Sequence, residues 1–136
     1  MNAIQLAGCV IQNQDGHILL VHRNNGKHVQ WEIPGGKVDD GEEAIAAAVR
    51  ELKEELGVVV RVVKRLGERA FEHGERRFHY IWFHAEIVDG QPRVMEPDVH
   101  DDLNFFSLDA LRQPALELSP NTANFVEEFH AGRVTF

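Results

Sequence analysis

The chain has 136 residues, 43% of them hydrophobic, enough for one compact core and short for two ordinary domains, so a single globular domain over residues 1–136 is expected. Its 22 acidic residues against 14 basic ones give a formal charge of -8, which lacks the basic footprint of a protein that grips long DNA or RNA. The lone Cys9 allows no internal disulfide, and no stretch nears the roughly 18 continuous apolar residues of a membrane span. A soluble, cytoplasmic monomer or homodimer is expected.

Residues 6–11 and 17–22 are β-favouring runs joined by Asn13-Gln14-Asp15-Gly16, which predicts an opening hairpin. Asn24-Asn25-Gly26-Lys27 is turn-prone, and Trp31-Glu32-Ile33 leads into Pro34-Gly35-Gly36, read as a loop poised before a helix. Over 43–56 the residues Ile45, Ala48, Val49, Leu52 and Leu56 recur at the spacing of a helical stripe facing a core, and Gly57 supplies the stop. Further strands are predicted at 58–63, 66–71 and 78–87 from their β-branched and aromatic content. An acidic loop at 96–102, a short strand at 104–106, a brief helix at 108–112 and a terminal helix at 121–130 burying Phe125, Val126 and Phe129 complete the chain.

On the first helix Glu51, Glu54 and Glu55 stand at i, i+3 and i+4 and therefore gather on one face beside the apolar stripe. Their mutual repulsion costs a few tenths of a kcal/mol per pair, at the helix end least suited to anions. A hard divalent cation such as Mg²⁺ offsets that cost through oxygen ligands, whereas on a helix with no further pattern a solvated acidic face is the ordinary explanation. The eight histidines show no zinc-like spacing; His22, His79 and His84 stand singly in strands, and none receives a catalytic role. Ser107 and Ser119 lack the glycine context of an activated nucleophile.

The rest of the pattern decides between these alternatives. Gly36, then Glu42, then Arg50-Glu51-Leu52-Lys53-Glu54-Glu55-Leu56-Gly57-Val58 resembles the Nudix box at every specified position. A chance match at one start point has odds on the order of 10⁻⁹. The resemblance implies an α/β fold, the Nudix α/β/α sandwich with a mixed β-sheet, and metal-dependent hydrolysis of a diphosphate linkage by water. It assigns Glu51, Glu54 and Glu55, with the carbonyl of Gly35, to Mg²⁺, Mn²⁺ being a substitute. Arg50 and Glu42 brace the loop and helix, although Glu42 also suits a first-turn acid complementing the helix dipole.

For the general base the resemblance offers Glu51, Glu54 or an acid from a later loop, with Glu96 first and Asp98 or Asp101 in reserve; a plain acidic turn is the competing reading of that loop. Arg23 and Lys37 stand where family members approach phosphates, and each suits a surface charge equally well. Trp31, Phe78, Tyr80 or Trp82 could stack on a base, though strand aromatics are more often core. Asn121 or Asn124 resembles the amide with which MutT-like members read a purine edge, and Asn121 also suits a helix N-cap.

The expected partner is thus a nucleotide-type small molecule. A nucleoside triphosphate, oxidised ones included, cleaved to monophosphate and pyrophosphate comes first, because Trp31-Glu32-Ile33-Pro34-Gly35-Gly36-Lys37 resembles the MutT-type run. An ADP-ribose or nucleotide-sugar pyrophosphatase comes next, against the absence of the proline that many such members carry beyond the box. A catalytically silent Nudix-fold nucleotide-binding module is the rival of another class, against the retention of every box carboxylate.

Overall fold

A computed structural model describes residues 2–136. In chain order it contains β1 (Ile4–Val10), β2 (Ile18–Asn24), β3 (Val29–Glu32), β4 (Gly35–Lys37), α1 (Ala44–Leu56), β5 (Val59–His73), β6 (Arg76–Asp89), β7 (His100–Phe106), a 3-10 turn (Ala110–Arg112) and α2 (Pro120–His130). Two sheets form, a four-stranded one in the order β4-β1-β6-β5 and a three-stranded one in the order β3-β2-β7. The first is mixed, because β1 runs parallel to β6 and antiparallel to β4. No helix among the described residues is long and apolar enough to cross a membrane.

The opening hairpin is corrected. Its turn closes as expected, with the Asn13 amide donating to the His17 carbonyl, but only the Gln12–Ile18 bridge and the Leu19 amide on the Ile11 carbonyl join the two runs. Beyond that point β1 and β2 part into different sheets. Burial on both faces explains why: Ala7, Cys9, Leu19 and Val21 enter the core cluster that contains α1, while Val10, Ile18 and Leu20 enter the cluster that contains α2. Strands buried on both sides read as continuous apolar runs, and such a run does not record which neighbour it pairs with.

Other elements differ from expectation in extent. The predicted strands at 58–63 and 66–71 are one long strand, β5, kept paired to β6 through register shifts at Val59/Val60, Val62/Lys64 and Arg65/Gly67. Part of the acidic segment at 96–102 joins β7, and Pro34-Gly35-Gly36 is not all loop, since Gly35 and Gly36 pair with Gly8 and Ala7. The helical stripe holds for Ala48, Leu52 and Leu56, but Ile45 is 48% exposed and Ala47 takes its place inside. Gly57 ends α1 in the left-handed conformation at φ 68°. At α2 the N-cap is Ser119, whose side chain accepts from the Thr122 amide, so Asn121 is released from that role.

At the crossing of β1, β4 and β6 the backbone tolerates no side chain on Gly8. A Cβ there would lie 2.0 Å from the Tyr80 hydroxyl and 2.7 Å from the Pro34 carbonyl oxygen. Gly8→Ala is expected to lower unfolding free energy by about 1–3 kcal/mol, as overpacking does. Chemical denaturation checks this, and an unchanged midpoint would contradict the packing described.

Candidate active site

The site is assembled where the C-terminal half of α1 lies across β4. A Cβ on Gly36 would sit 2.6 Å from the Glu51 carboxyl carbon, and a Cβ on Gly35 would meet the Ala7 carbonyl at 2.4 Å and the Tyr80 hydroxyl at 2.5 Å. Neither glycine has positive φ. Their requirement is therefore for close approach: bare Gly36 lets Glu51 reach the strand, and bare Gly35 lets β4 lie against β1 and Tyr80. The Gly35 amide donates to Glu55 Oε2 at 2.8 Å, fixing the carboxylate against the strand.

Arg50 holds the outer side of this arrangement. Its Nε and Nη2 donate to both oxygens of Glu42 at 2.9 Å, its Nη2 to the Lys37 carbonyl at 3.0 Å, and its Nη1 to Glu51 at 3.1 Å and Glu54 at 3.2 Å. One planar guanidinium thus ties the loop before α1, the end of β4 and the acidic face of the helix together. Glu42 precedes the helix and is not in its first turn. The Arg50 hydrogen bonds draw its pKa down to about 2.

The loop after β6 completes the site from the other end. Two otherwise orphaned carbonyls at the C-terminus of α1 accept from it, Glu55 from the Met95 amide and Leu56 from the Arg93 amide, both at 3.1 Å. The Glu96 carbonyl then accepts from the Val99 and His100 amides at 2.9 Å, so the chain makes one tight turn that brings Glu96 and His100 to the same side. Ligand atoms of Glu55, Glu96 and His100 all lie within 4.8 Å of one another. Sequence reasoning missed His100; the only local signal was its position four residues after the acid singled out in that loop.

The electrostatics of this cluster are unbalanced. Glu55 is 4% exposed, and burial, reinforced by Glu51, Glu32 and Glu96, pushes its pKa well above the ordinary 4.5 against the opposing Gly35 hydrogen bond. Burial likewise raises Glu51, with Arg50 opposing and Glu54 and Glu96 adding. His100, 1% exposed, is kept neutral chiefly by burial, with Arg23 adding to the effect. Both of its ring nitrogens lack hydrogen-bond partners. The buried Glu55 carboxyl, converging with Glu96 and the unpartnered His100 ring and hydrogen-bonded to no guanidinium, fits a divalent metal, whose ligands at about 2.0–2.6 Å from the ion lie about 3–5 Å apart.

Beside the cluster opens a cavity of about 240 Å³ whose lining includes Arg23, Glu32, Gly36, Phe71, Phe78 and Asn121. Arg23 Nε donates to both oxygens of Glu32, at 3.0 and 2.8 Å. Phe71 and Phe78 stack with centroids 5.2 Å apart, and Phe71 is an aromatic that sequence reasoning passed over. Asn121 Oδ1 accepts from Trp82 Nε1 at 2.8 Å, which holds the amide in one orientation. Trp82 belongs to the core, and Trp31 packs between His22 and Phe106 instead of lining the cavity.

Two residues expected to contact substrate lie outside this cavity. Lys37 is absent from this cavity and lines a separate hollow with Arg76 and Arg77. Asn124, one turn along α2 from Asn121, does not line the cavity either. Of the reserve acids, Asp101 is occupied by His22 at 2.6 Å and Asn24 at 2.9 Å.

The chain is similar to known proteins in sequence and in fold. A family model described as the NUDIX domain matches residues 5–129. The chain is 32% identical to the CTP pyrophosphohydrolase of Escherichia coli K12 over 98% of its own length and 96% of that protein's. It is 28% identical to the 8-oxo-dGTP diphosphatase of the same strain, over 81% of this chain and 87% of that one. An RNA pyrophosphohydrolase of Novosphingobium aromaticivorans is 40% identical, but the match takes in 48% of this chain and 42% of that one, so this chain spans less than half of that relative. The crystal structure of a MutT NUDIX hydrolase from Burkholderia pseudomallei superposes with a TM-score of 0.81 at 33% identity, covering 93% of this chain and 98% of that one. The chain therefore belongs to the Nudix family. Within that family it is MutT-like, a hydrolase acting on diphosphate linkages.

The raised pKa of Glu55 gives the metal-free protein a particular pH response. Its carboxyl binds a proton more tightly in the fold than in the unfolded chain, so its contribution to stability is complete below 4.5 and is lost as pH rises through the elevated folded value. Metal-free Glu55→Gln is therefore expected to melt above the metal-free wild type at pH 8, with the gap closing as the pH approaches 4.5. Added Mg²⁺ should reverse the order by stabilising the wild type more than the variant. Thermal melts across pH check this; a variant less stable than wild type at pH 8 without metal would contradict it.

Proposed function

We propose that the chain hydrolyses a nucleoside triphosphate, oxidised ones included, to the monophosphate and pyrophosphate. Glu51, Glu54, Glu55, Glu96 and the Gly35 carbonyl would hold the divalent cation. The observation that carries this reading is the buried, uncompensated Glu55 carboxylate next to a cavity that combines Arg23, an aromatic pair and an oriented amide. A metal bound at these acids supplies charge neutralisation at the diphosphate oxygens and makes water a better nucleophile.

The chain's own residues do the remaining work. Glu96, exposed and hydrogen-bonded only through its backbone among the described residues, takes a proton from the attacking water as the water oxygen bonds to a phosphorus of the α–β linkage and the bridging P–O bond breaks, which leaves monophosphate and pyrophosphate. Arg50 keeps Glu51 and Glu54 turned to the same side and so acts as a positioning residue. Arg23 has only its Nε engaged with Glu32, which leaves its Nη nitrogens for phosphate oxygens. Phe71 and Phe78 offer a base an apolar wall. With Oδ1 committed to Trp82, Asn121 has its Nδ2 hydrogens to donate to an acceptor on the base edge.

One feature favours a triphosphate over a dinucleotide or nucleotide sugar. The relatives named for triphosphate cleavage align over most of both chains.

The deciding experiment supplies nucleoside triphosphates, ADP-ribose, nucleotide sugars and dinucleoside polyphosphates with Mg²⁺ or Mn²⁺ and resolves the products. Pyrophosphate release from a triphosphate supports the reading; preferential cleavage of ADP-ribose or a nucleotide sugar overturns it. Glu54→Gln is expected to reduce kcat by two or more orders of magnitude with little change in Tm, since the Glu54 side chain is 52% exposed. Wild-type kcat at saturating Mg²⁺ would remove Glu54 from the machinery. Asn121→Asp keeps the acceptor for Trp82 but loses both donors, and KM should rise about tenfold with a clear dependence on the base. Equal effects on purine and pyrimidine triphosphates would deny Asn121 the reading of the base.

A further inference from the structure

We propose that His100 is itself a metal ligand, forming with Glu55 and Glu96 a mixed oxygen-and-nitrogen site that prefers Mn²⁺ or a similar transition metal to Mg²⁺. The proposal deepens the metal site of the preceding section and rests on it. Three observations converge. His100 Nε2 lies 3.7 Å from Glu55 Oε1, beyond hydrogen-bonding range but close to the span between two ligands each about 2.1 Å from one ion.

His100 is 1% exposed, and neither of its ring nitrogens has a partner. A buried imidazole ordinarily satisfies at least one nitrogen, so its loss of water is here uncompensated until something binds it. The third observation is placement by backbone. The tight turn closed by the Glu96 carbonyl and the anchoring of Met95 to the Glu55 carbonyl leave His100 facing the carboxylates with no flexible linker between.

A structural histidine would be expected to donate to Glu55 at hydrogen-bond distance, and this one does not. The donor set then determines the preference. Mg²⁺ favours hard oxygen ligands and an octahedron it partly fills with water, whereas imidazole suits transition metals. Replacing one oxygen or water by nitrogen therefore shifts the site away from Mg²⁺.

The test needs no substrate, so its failure is distinguishable from failure of the hydrolase reading, which product analysis decides separately. Wild-type protein loaded with Mn²⁺ alone should show ¹⁴N coupling to the metal in pulsed EPR. Protein grown with ¹⁵N-histidine should show the coupling change to ¹⁵N, which identifies histidine without altering the fold. His100→Gln, if folded, should lose the coupling and lower the Mn²⁺-over-Mg²⁺ affinity ratio by about tenfold in calorimetry, with Mg²⁺ affinity little changed. Absence of nitrogen coupling in the wild type, coupling that ignores the histidine label, or coupling that survives His100→Gln would each overturn the proposal.

Discussion

Glu51 and Glu55 reach β4 because Gly36 presents bare backbone to the helix and Gly35 lets that strand close on β1. A Cβ on Gly36 would occupy the Glu51 carboxyl group, and a Cβ on Gly35 would drive β4 off β1. Helix position, strand pairing and carboxylate placement are thus a single packing problem, solved by the absence of two methyl groups. The Gly35 amide then points into the contact and gives Glu55 its one backbone donor. Shifting α1 by even one residue would turn Leu52 and Leu56 out of the core at the same time as it moved the acids.

This packing places negative charge where solvent cannot compensate it. Arg50 neutralises the outer acids, since it bonds Glu42, Glu51 and Glu54 together, and Arg23 neutralises Glu32. Neither arginine is hydrogen-bonded to Glu55, which remains buried beside Glu96 and a neutral His100. The same fold that brackets these four acids with guanidinium leaves Glu55 open, and a protein that stores such a deficit binds a cation with the energy it recovers. The surrounding core supports that deficit: Cys9, its thiol pushed up to about 12 by burial and the nearby Glu55, is inert filler there.

On the other face of β1 and β6 the architecture serves the substrate side. Trp82 sits in the core against Phe125 and spends its single N–H on Asn121, so α2 is docked by both an aromatic contact and a polar one. The Thr122 hydroxyl accepts from the Ile33 amide at 2.9 Å and joins the same helix to the segment just before the glycines. Cavity wall and acidic cluster therefore share rigid supports, which is what a site needs if phosphate and base are to be held in fixed relation.

The box was legible in the sequence because its logic is local. Spacings of three and four residues on a helix fix a common face, Gly57 marks the stop, and Arg50 lies within side-chain reach of the acids flanking it. What tertiary structure alone decided concerns partners distant along the chain. The Asp-Gly turn is real, yet β1 and β2 separate because both are buried on two faces, and two-sided burial leaves no alternation from which to read a partner. Lys37 and Arg23 look alike as cations near the box, and only the tertiary structure sets one in a separate hollow with Arg76 and Arg77 and the other on the cavity. His100 meets Glu55 through a loop docked on helix carbonyls, a contact carried by backbone amides that any residue but proline supplies. Sequence determined which groups are present and which neighbours a helix turn gives them; long-range packing determined which of them face one another without water.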